Sequence, residues 1–334
     1  MPDQMAVSGS QRDLDLLNGA PSQRDADLMD IVSGLKARQK TLPTRLFYDE
    51  AGCELFRRIT MLPEYHVTRA ETALLDLHRD EITADVAHDT SLVEYGASDE
   101  RKGVALIDAA PDAITTYVPI DIAGPALAAL AARLETSHPT LRVQPVEADF
   151  TGPVSLPAAG GGGRLGFFPG STIGNFDPPL VRRFLEQARS DLADGVRDAP
   201  VRFLIGTDLF RDRSELIPAY DDAAGVTAQF NKNILRHVNR ITGAAFDTAR
   251  FNHRAVWNQQ AGRIEMHLVS TVAQVVEVAG HGVAFARGET IHTESSYKHT
   301  REGFTALANQ AGWRAERFWT DPDGFFGLHG LLAA

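Results

Sequence analysis

Several residues with usable chemistry stand near the ends of short apolar runs: Gly96, Asp121, Asp149, Asn175 and Asp208. Gly96 closes S-L-V-E-Y-G at 91–96, ahead of a helical stretch beginning at Lys102. A strand, a tight glycine turn and a helix N-terminus let a ligand approach the backbone and meet unpaired N–H groups. Glycines at 98 and 101 would complete a dinucleotide fingerprint, but Ser98 and Arg101 stand there, which argues against a dehydrogenase. Asp121, about 25 residues beyond Gly96, falls where a carboxylate accepts hydrogen bonds from ribose hydroxyls. Its other use is as a cap for the following helix. Asp149-Phe150 offers a hydrogen-bond acceptor and an apolar wall to an adenine ring, or equally an ordinary loop acid and a core aromatic. Asn175, after G-S-T-I-G, accepts from an amine with its carbonyl and donates to a carboxylate with its amide, or it is a turn asparagine before Pro178. Tyr220 could donate to a carboxylate, although its spacing fits a surface tyrosine before a capping acid. Glu294 and Ser296, two apart on a strand, share a side and could hold an imidazole; spacing alone fits the solvated face of an edge strand.

The elements that must position these residues alternate. Leu92-Val93, Thr116–Ile122, Leu141–Val146, Leu165–Phe168 and Val201–Ile205 read as strands, with helices after most of them. That rhythm implies an α/β fold with a mostly parallel, doubly wound sheet, whose ligand site lies beyond the carboxyl ends of the strands. Asp177 and Pro178 fit the N-cap and first position of a helix that ends before Gly195. Ahead of the sheet, apolar spacing predicts a helix over 25–38, another carrying Leu55, Phe56 and Ile59, and a third opened by a Thr68/Glu71 capping box and running through Ile82. Beyond Asp208 the rhythm changes. A helix over 221–241, a long strand over 264–278 turned back by Gly280-His281-Gly282, a strand over 290–296, a helix near Phe304 to Ala311 and closing strands over 313–320 and 325–332 are expected. The predicted division is a tail over 1–24, a cofactor domain of 70–208 with 287–334, and a substrate lobe of 25–69 with 209–286.

Composition narrows the class. The chain has 334 residues, 43% of them hydrophobic, and a formal net charge of -11, so it lacks the basic face of a nucleic-acid binder. One cysteine, Cys53, excludes an internal disulfide framework, and the eleven histidines show no metal-ligand spacing. No apolar run approaches the roughly 20 residues that span a bilayer, and the N-terminus does not read as a signal peptide. A cytoplasmic monomer acting on a small molecule, without membrane or nucleic-acid partner, is expected.

The segments L-F-Y-D-E-A-G (46–52), L-P-E-Y-H-V-T-R (62–69), G-S-T-I-G-N (170–175), A-Y-D-D-A-A-G-V-T (219–227), F-N-K-N (230–233), R-I-E-M (263–266) and T-E-S-S-Y-K (293–298) occur in this order. Through them the chain resembles the L-histidine Nα-methyltransferases of ergothioneine biosynthesis, from about Leu46 onward. The resemblance implies a Rossmann-like class I methyltransferase core and S-adenosylmethionine as cofactor, with no metal. It implies trimethylation of L-histidine to hercynine, by in-line attack of the α-amine on the sulfonium methyl. Gly96, Lys102, Asp121, Asp149 and Phe150 match its cofactor positions. Tyr65, Asn175, Tyr220, Glu294 and Ser296 match its histidine-binding positions, and Tyr48, Phe56, Thr227 and Met266 other pocket positions. Asn175 and Tyr220 would hold the amino and carboxylate end, and Glu294 and Ser296 the imidazole, while water ordered by Tyr48 takes the amine proton. The resemblance thus turns Tyr220, Glu294 and Ser296 from surface residues into binding residues. Ser98 and His66 depart from the family, which often has glycine and tyrosine there. Methylation of another amine, or a non-catalytic S-adenosylmethionine-binding module, are the competing functions.

Overall fold

The computed structural model describes residues 23–97, 100–210 and 216–334. Most of the expected tail, and Ser98 of the glycine turn, lie outside them. The described chain forms two compact units. The first takes 227–254 and 267–293 with the N-terminal segment to Phe56; the second takes 57–226, 255–266 and 294–334. These divisions stand at other places than the predicted 69/70, 208/209 and 286/287.

The elements run in chain order as α1 (Gln23–Lys36), β1 (Lys40–Thr41), α2 (Glu50–Ile59), α3 (His66–Thr83), β2 (Thr90–Tyr95), α4 (Arg101–Ala109), β3 (Ile114–Asp121) and α5 (Gly124–Ser137). Then follow β4 (Arg142–Val143), β5 (Val146–Glu147), β6 (Arg164–Phe168), α6 (Pro178–Ala193), β7 (Val201–Asp208) and α7 (Val226–Thr242). The last are β8 (Phe251–Asn258), β9 (Arg263–Ser270), β10 (Gln274–Val278), β11 (His281–Phe285), β12 (Thr290–Tyr297), α8 (Arg301–Gln310), β13 (Trp313–Thr320) and β14 (Phe326–Ala333).

In the first unit, α7 buries Phe230, Ile234, Leu235 and Val238, and Phe47 stacks on Phe230 at 4.6 Å between ring centroids. Asn233 Nδ2 donates to Asp49 Oδ1 at 2.7 Å, and Arg240 pairs with the same carboxylate. The helix starts five residues later than the spacing predicts. Asp222, expected inside it, instead accepts from the Val226 N–H at 3.0 Å. The predicted long strand over 264–278 is two strands in two sheets: β9 ends at Ser270, and β10 pairs antiparallel with β11. Val278 faces His281 across a two-residue turn at Ala279 (φ 49°) and Gly280 (φ 78°), the double left-handed geometry that suits a twisted hairpin. β8 had no counterpart in the sequence reading. β1, β12, β9 and β8 make a four-stranded sheet in that order, so β12 is not an edge strand.

The second unit is built on an eight-stranded sheet in the order β13-β14-β7-β6-β2-β3-β4, with β5 also on β3. β2, β3, β6 and β7 are mutually parallel, and β14 runs antiparallel between β7 and β13. The expected third strand over 141–146 is split into β4 and β5, both paired with β3. Pro145, which has no N–H to donate, lies in the break. β2 is fully buried along its length, as a central parallel strand must be. Its core neighbours include Val118, Phe168, Phe184, Phe203 and Trp313, whose Nε1 donates to Leu185 O at 2.9 Å. The predicted cap holds: Asp177 Oδ1 accepts from Leu180 N–H at 2.9 Å with Pro178 opening α6.

The capping box at Thr68 and Glu71 does not form. α3 starts at His66, and Glu71 is fully buried, accepting from Gly170 N–H and bonding Lys102 Nζ. A carboxylate engaged in the interior cannot also reach back to cap its own helix.

Candidate functional site

The chain leaves β2 toward β3 on one side of the sheet and returns to β6 on the other. Such a switch of direction opens a crevice at the carboxyl ends of the two central strands. Gly96 follows β2 there with φ 73°, a conformation that an L side chain adopts only with strain. A Cβ at Gly96 would stand 3.7 Å from the Phe150 ring, an ordinary contact, so glycine is required by the backbone rather than by space. The N–H groups of Gly96 and Ala97 are not unpaired, as the sequence reading has them; both donate to Ile120 O, at 2.8 and 3.0 Å. Asp121 is half-buried, and Oδ1 accepts from Ala123 N–H at 2.9 Å. Burial raises its pKa against the lowering effect of the Ala123 and Ile122 backbone donors. Asp149 is exposed and closes a turn, accepting from Thr151 N–H at 2.9 Å. Phe150 is half-buried, its ring edge-on to Tyr95 and Phe168. Lys102 Nζ lies 2.5 Å from Glu71 Oε2, and both Glu71 oxygens accept from Gly170 N–H. One buried carboxylate therefore joins the helix after the glycine turn to the loop after β6. A half-buried carboxylate, an aromatic wall and an ammonium at the switch point fit the ribose, base and amino-acid carboxylate of an adenosyl-amino-acid cofactor.

The second polar group lies at the C-terminal half of β12 and its neighbours. Asn175 Nδ2 donates to Glu294 Oε1 at 3.2 Å. Burial pushes the Glu294 carboxyl up to about 8, with the Lys298 ammonium opposing. Tyr220 OH and Ser296 Oγ share a bond of 2.8 Å. Lys298 Nζ donates to both, at 2.8 Å each, and to Asp208 Oδ2 at 2.6 Å. His66 Nε2 donates to the other Asp208 oxygen at 2.9 Å. Burial works against the Asp208 anion, but Lys298 and His66 outweigh it and hold the carboxyl well below the usual carboxylate range. Tyr65 is buried; desolvation raises its phenol well above the ordinary value, and the charges of Asp208, Glu294 and Glu71 add to this.

Tyr65, Asn175, Tyr220, Glu294 and Ser296 are thus brought together in the second unit, with Met266 buried on β9 of the same unit. The surface readings of Tyr220, Glu294 and Ser296 are overturned: Ser296 is 6% exposed and the other two are half-buried. The pairing also crosses the expected division of labour. Asn175 meets Glu294, and Tyr220 meets Ser296, although the resemblance places each pair at opposite ends of a ligand. Tyr48, Phe56 and Thr227 belong to the first unit. There Tyr48 and Phe56 form an aromatic group with Phe230, and Thr227 is buried in the first turn of α7. Sequence reasoning missed Glu71, Lys298 and the roles of His66 and Asp208. A signal existed for Lys298: it continues the alternation of Glu294 and Ser296, so all three face one side.

A doubly wound sheet with a reversed strand between β7 and β13 is the Rossmann-like core of the class I S-adenosylmethionine-dependent methyltransferases. Within that class, residues 27–333 match the family described as histidine-specific methyltransferase, SAM-dependent, and the chain belongs to it. It is 42% identical over 314 residues to the histidine N-alpha-methyltransferase of Mycolicibacterium smegmatis, covering 92% of this chain and 95% of that protein. Identity to the histidine N-alpha-methyltransferase of Mycobacterium tuberculosis is 40%, covering 90% and 92%. The ergothioneine biosynthesis protein 1 of Neurospora crassa is 29% identical over 88% of this chain and 33% of its own length.

Proposed function

We propose that this protein methylates the α-amine of L-histidine three times in succession, giving hercynine for ergothioneine biosynthesis. The observation that carries this reading is the polar set of Tyr65, Asn175, Tyr220, Glu294 and Ser296 in a chain matched almost end to end by a histidine-specific family. Bound S-adenosylmethionine supplies an activated methyl group whose sulfur is already an excellent leaving group. Gly96, Lys102, Asp121, Asp149 and Phe150 hold that cofactor: the carboxylates take its hydroxyl and base donors, Phe150 covers the adenine, and Lys102 meets its carboxylate. Asn175 and Tyr220 take the amino and carboxylate groups of the substrate, and Glu294 and Ser296 its imidazole. Tyr65 and Met266 are further substrate-binding positions. These residues align nitrogen and methyl at about 3 Å, and positioning of this kind can supply much of the rate. No side chain of the set is needed as an acid; the amine proton leaves to water. The protein acts as a cytoplasmic monomer without nucleic-acid, membrane or metal partner. Among the described residues, no helix is long and apolar enough to cross a membrane.

The test is mass spectrometry of purified protein with S-adenosylmethionine and L-histidine, with tryptophan and other amino acids alongside. The expected product is histidine heavier by three methyl groups, and nothing from the others. Intact cofactor binding with no product from histidine would overturn the substrate assignment.

A further inference from the structure

We propose that Lys298, held by an Asp208 that His66 braces, is a positioning residue that makes Tyr220 and Ser296 hydrogen-bond donors toward the substrate. This rests on the reading of those two hydroxyls as histidine-binding groups. Lys298 Nζ donates to Asp208 Oδ2 at 2.6 Å, Tyr220 OH at 2.8 Å and Ser296 Oγ at 2.8 Å, three acceptors that suit the three hydrogens of an ammonium. An ammonium has nothing to accept with. Each hydroxyl oxygen therefore spends a lone pair on Lys298 and keeps its single proton for an acceptor.

The two oxygens lie 2.8 Å apart, and one proton bridges them. When histidine is bound, both protons turn outward. The substrate carboxylate accepts from Tyr220, and the imidazole nitrogen that bears no hydrogen accepts from Ser296. The other ring nitrogen donates to Glu294. A neutral side chain at 298 would leave both hydroxyls free to rotate and to accept as well as donate.

The device is buried and braced. The side chains of Lys298 and Asp208 are both 0% exposed, so water cannot take the place of the ammonium. His66 occupies the second Asp208 oxygen at 2.9 Å, and the Asp208 N–H donates to Ser171 Oγ at 2.9 Å. Backbone and carboxylate are thus fixed from separate sides. Lys298 touches no atom of the substrate in this scheme; it acts through the two hydroxyls.

Lys298→Met alone would strand a buried carboxylate, so the test uses D208N/K298M, which removes both charges together. Calorimetry measures L-histidine affinity in the presence of S-adenosylhomocysteine for the wild type, D208N/K298M, Y220F and the triple variant. D208N/K298M is expected to weaken histidine binding about 10- to 100-fold while S-adenosylhomocysteine affinity stays unchanged. In the Y220F background the same pair should cost about tenfold less than in the wild type, because one of its two targets is gone. Wild-type histidine affinity in D208N/K298M would overturn the proposal, as would an equal cost in both backgrounds, which is the signature of a purely structural role. A wild type that binds S-adenosylhomocysteine but no histidine would overturn the functional reading itself and this proposal with it. If D208N/K298M does not fold, Lys298→Arg serves. It keeps Asp208 paired, but its planar fork does not reproduce the ammonium's three directions, so a loss of about tenfold or more in histidine affinity is expected and unchanged affinity would refute the scheme.

Discussion

Replacing Glu294 by glutamine should stabilise the ligand-free protein at alkaline pH while removing most of its histidine affinity. The carboxyl is lifted from an ordinary 4.5 to about 8, chiefly by burial. Between those values the folded protein holds a proton that the unfolded chain has released. Stability therefore falls as pH rises, by about 1.4 kcal/mol for each pH unit. The contribution is fully present below 4.5 and lost by the time pH has passed about 8, which sets a ceiling of about 5 kcal/mol. Relaxation and water entry around a buried charge reduce such figures, so a gain of about 2–4 kcal/mol is expected for the neutral amide above pH 8. Glutamine keeps an oxygen for the 3.2 Å bond from Asn175 Nδ2, so little else changes. Urea unfolding of wild type and Glu294→Gln at pH 5 and pH 8.5 reads this directly. The two proteins should be nearly equal at the lower pH and separate at the higher one, in favour of the variant. The same stability difference at both pH values would refute the reasoning. At pH 8.5, where the carboxyl is ionised, histidine affinity should fall about 10- to 100-fold with the loss of a charge-assisted bond, and an unchanged value would remove the imidazole assignment.

Gly96→Ala forces a Cβ into φ 73°, and an unfolding loss of about 1–2 kcal/mol is expected, with S-adenosylhomocysteine affinity lowered as the turn shifts. Wild-type stability and cofactor affinity together would show that the turn tolerates a side chain and is not tuned to a ligand. Glu71→Gln keeps one acceptor for Gly170 N–H but loses the ion pair with Lys102, and should cost about 1–3 kcal/mol in urea unfolding. It should also weaken S-adenosylhomocysteine binding about tenfold, because Lys102 loses its anchor; unchanged binding by calorimetry would place Lys102 outside the cofactor site.

What could be read without coordinates was what depends on near neighbours in the chain. Asp177 caps a helix through its bond from Leu180 N–H, with Pro178 opening it, and the apolar run ending at Gly96 becomes a buried central strand. The seven ordered segments carried the family resemblance, which the family match over 27–333 bears out. Errors arose where a residue had two uses of similar local merit. Glu71 is equally good as a capping acid and as a buried anchor, and only the position of Lys102 and Gly170, far along the chain, selects the second. The run 264–278 opens on the alternation of Ile264, Met266 and Leu268 and holds no glycine or proline to mark a break, yet β9 ends at Ser270, whose Oγ turns to Val272 O.

The sequence by itself determined the strand–helix alternation, the glycine turn after the first sheet strand and the family, because each is written in short-range spacing. Tertiary structure decided which polar groups meet: Asn175 with Glu294, Tyr220 with Ser296, and Asp208 with Lys298 and His66. Those partners lie from 76 to 142 positions apart in the chain: 76 for Tyr220 and Ser296, 90 for Lys298 and Asp208, 119 for Asn175 and Glu294, and 142 for His66 and Asp208. Their pairing depends on sheet order and on the cost of leaving a buried charge alone, neither of which is expressed in local spacing.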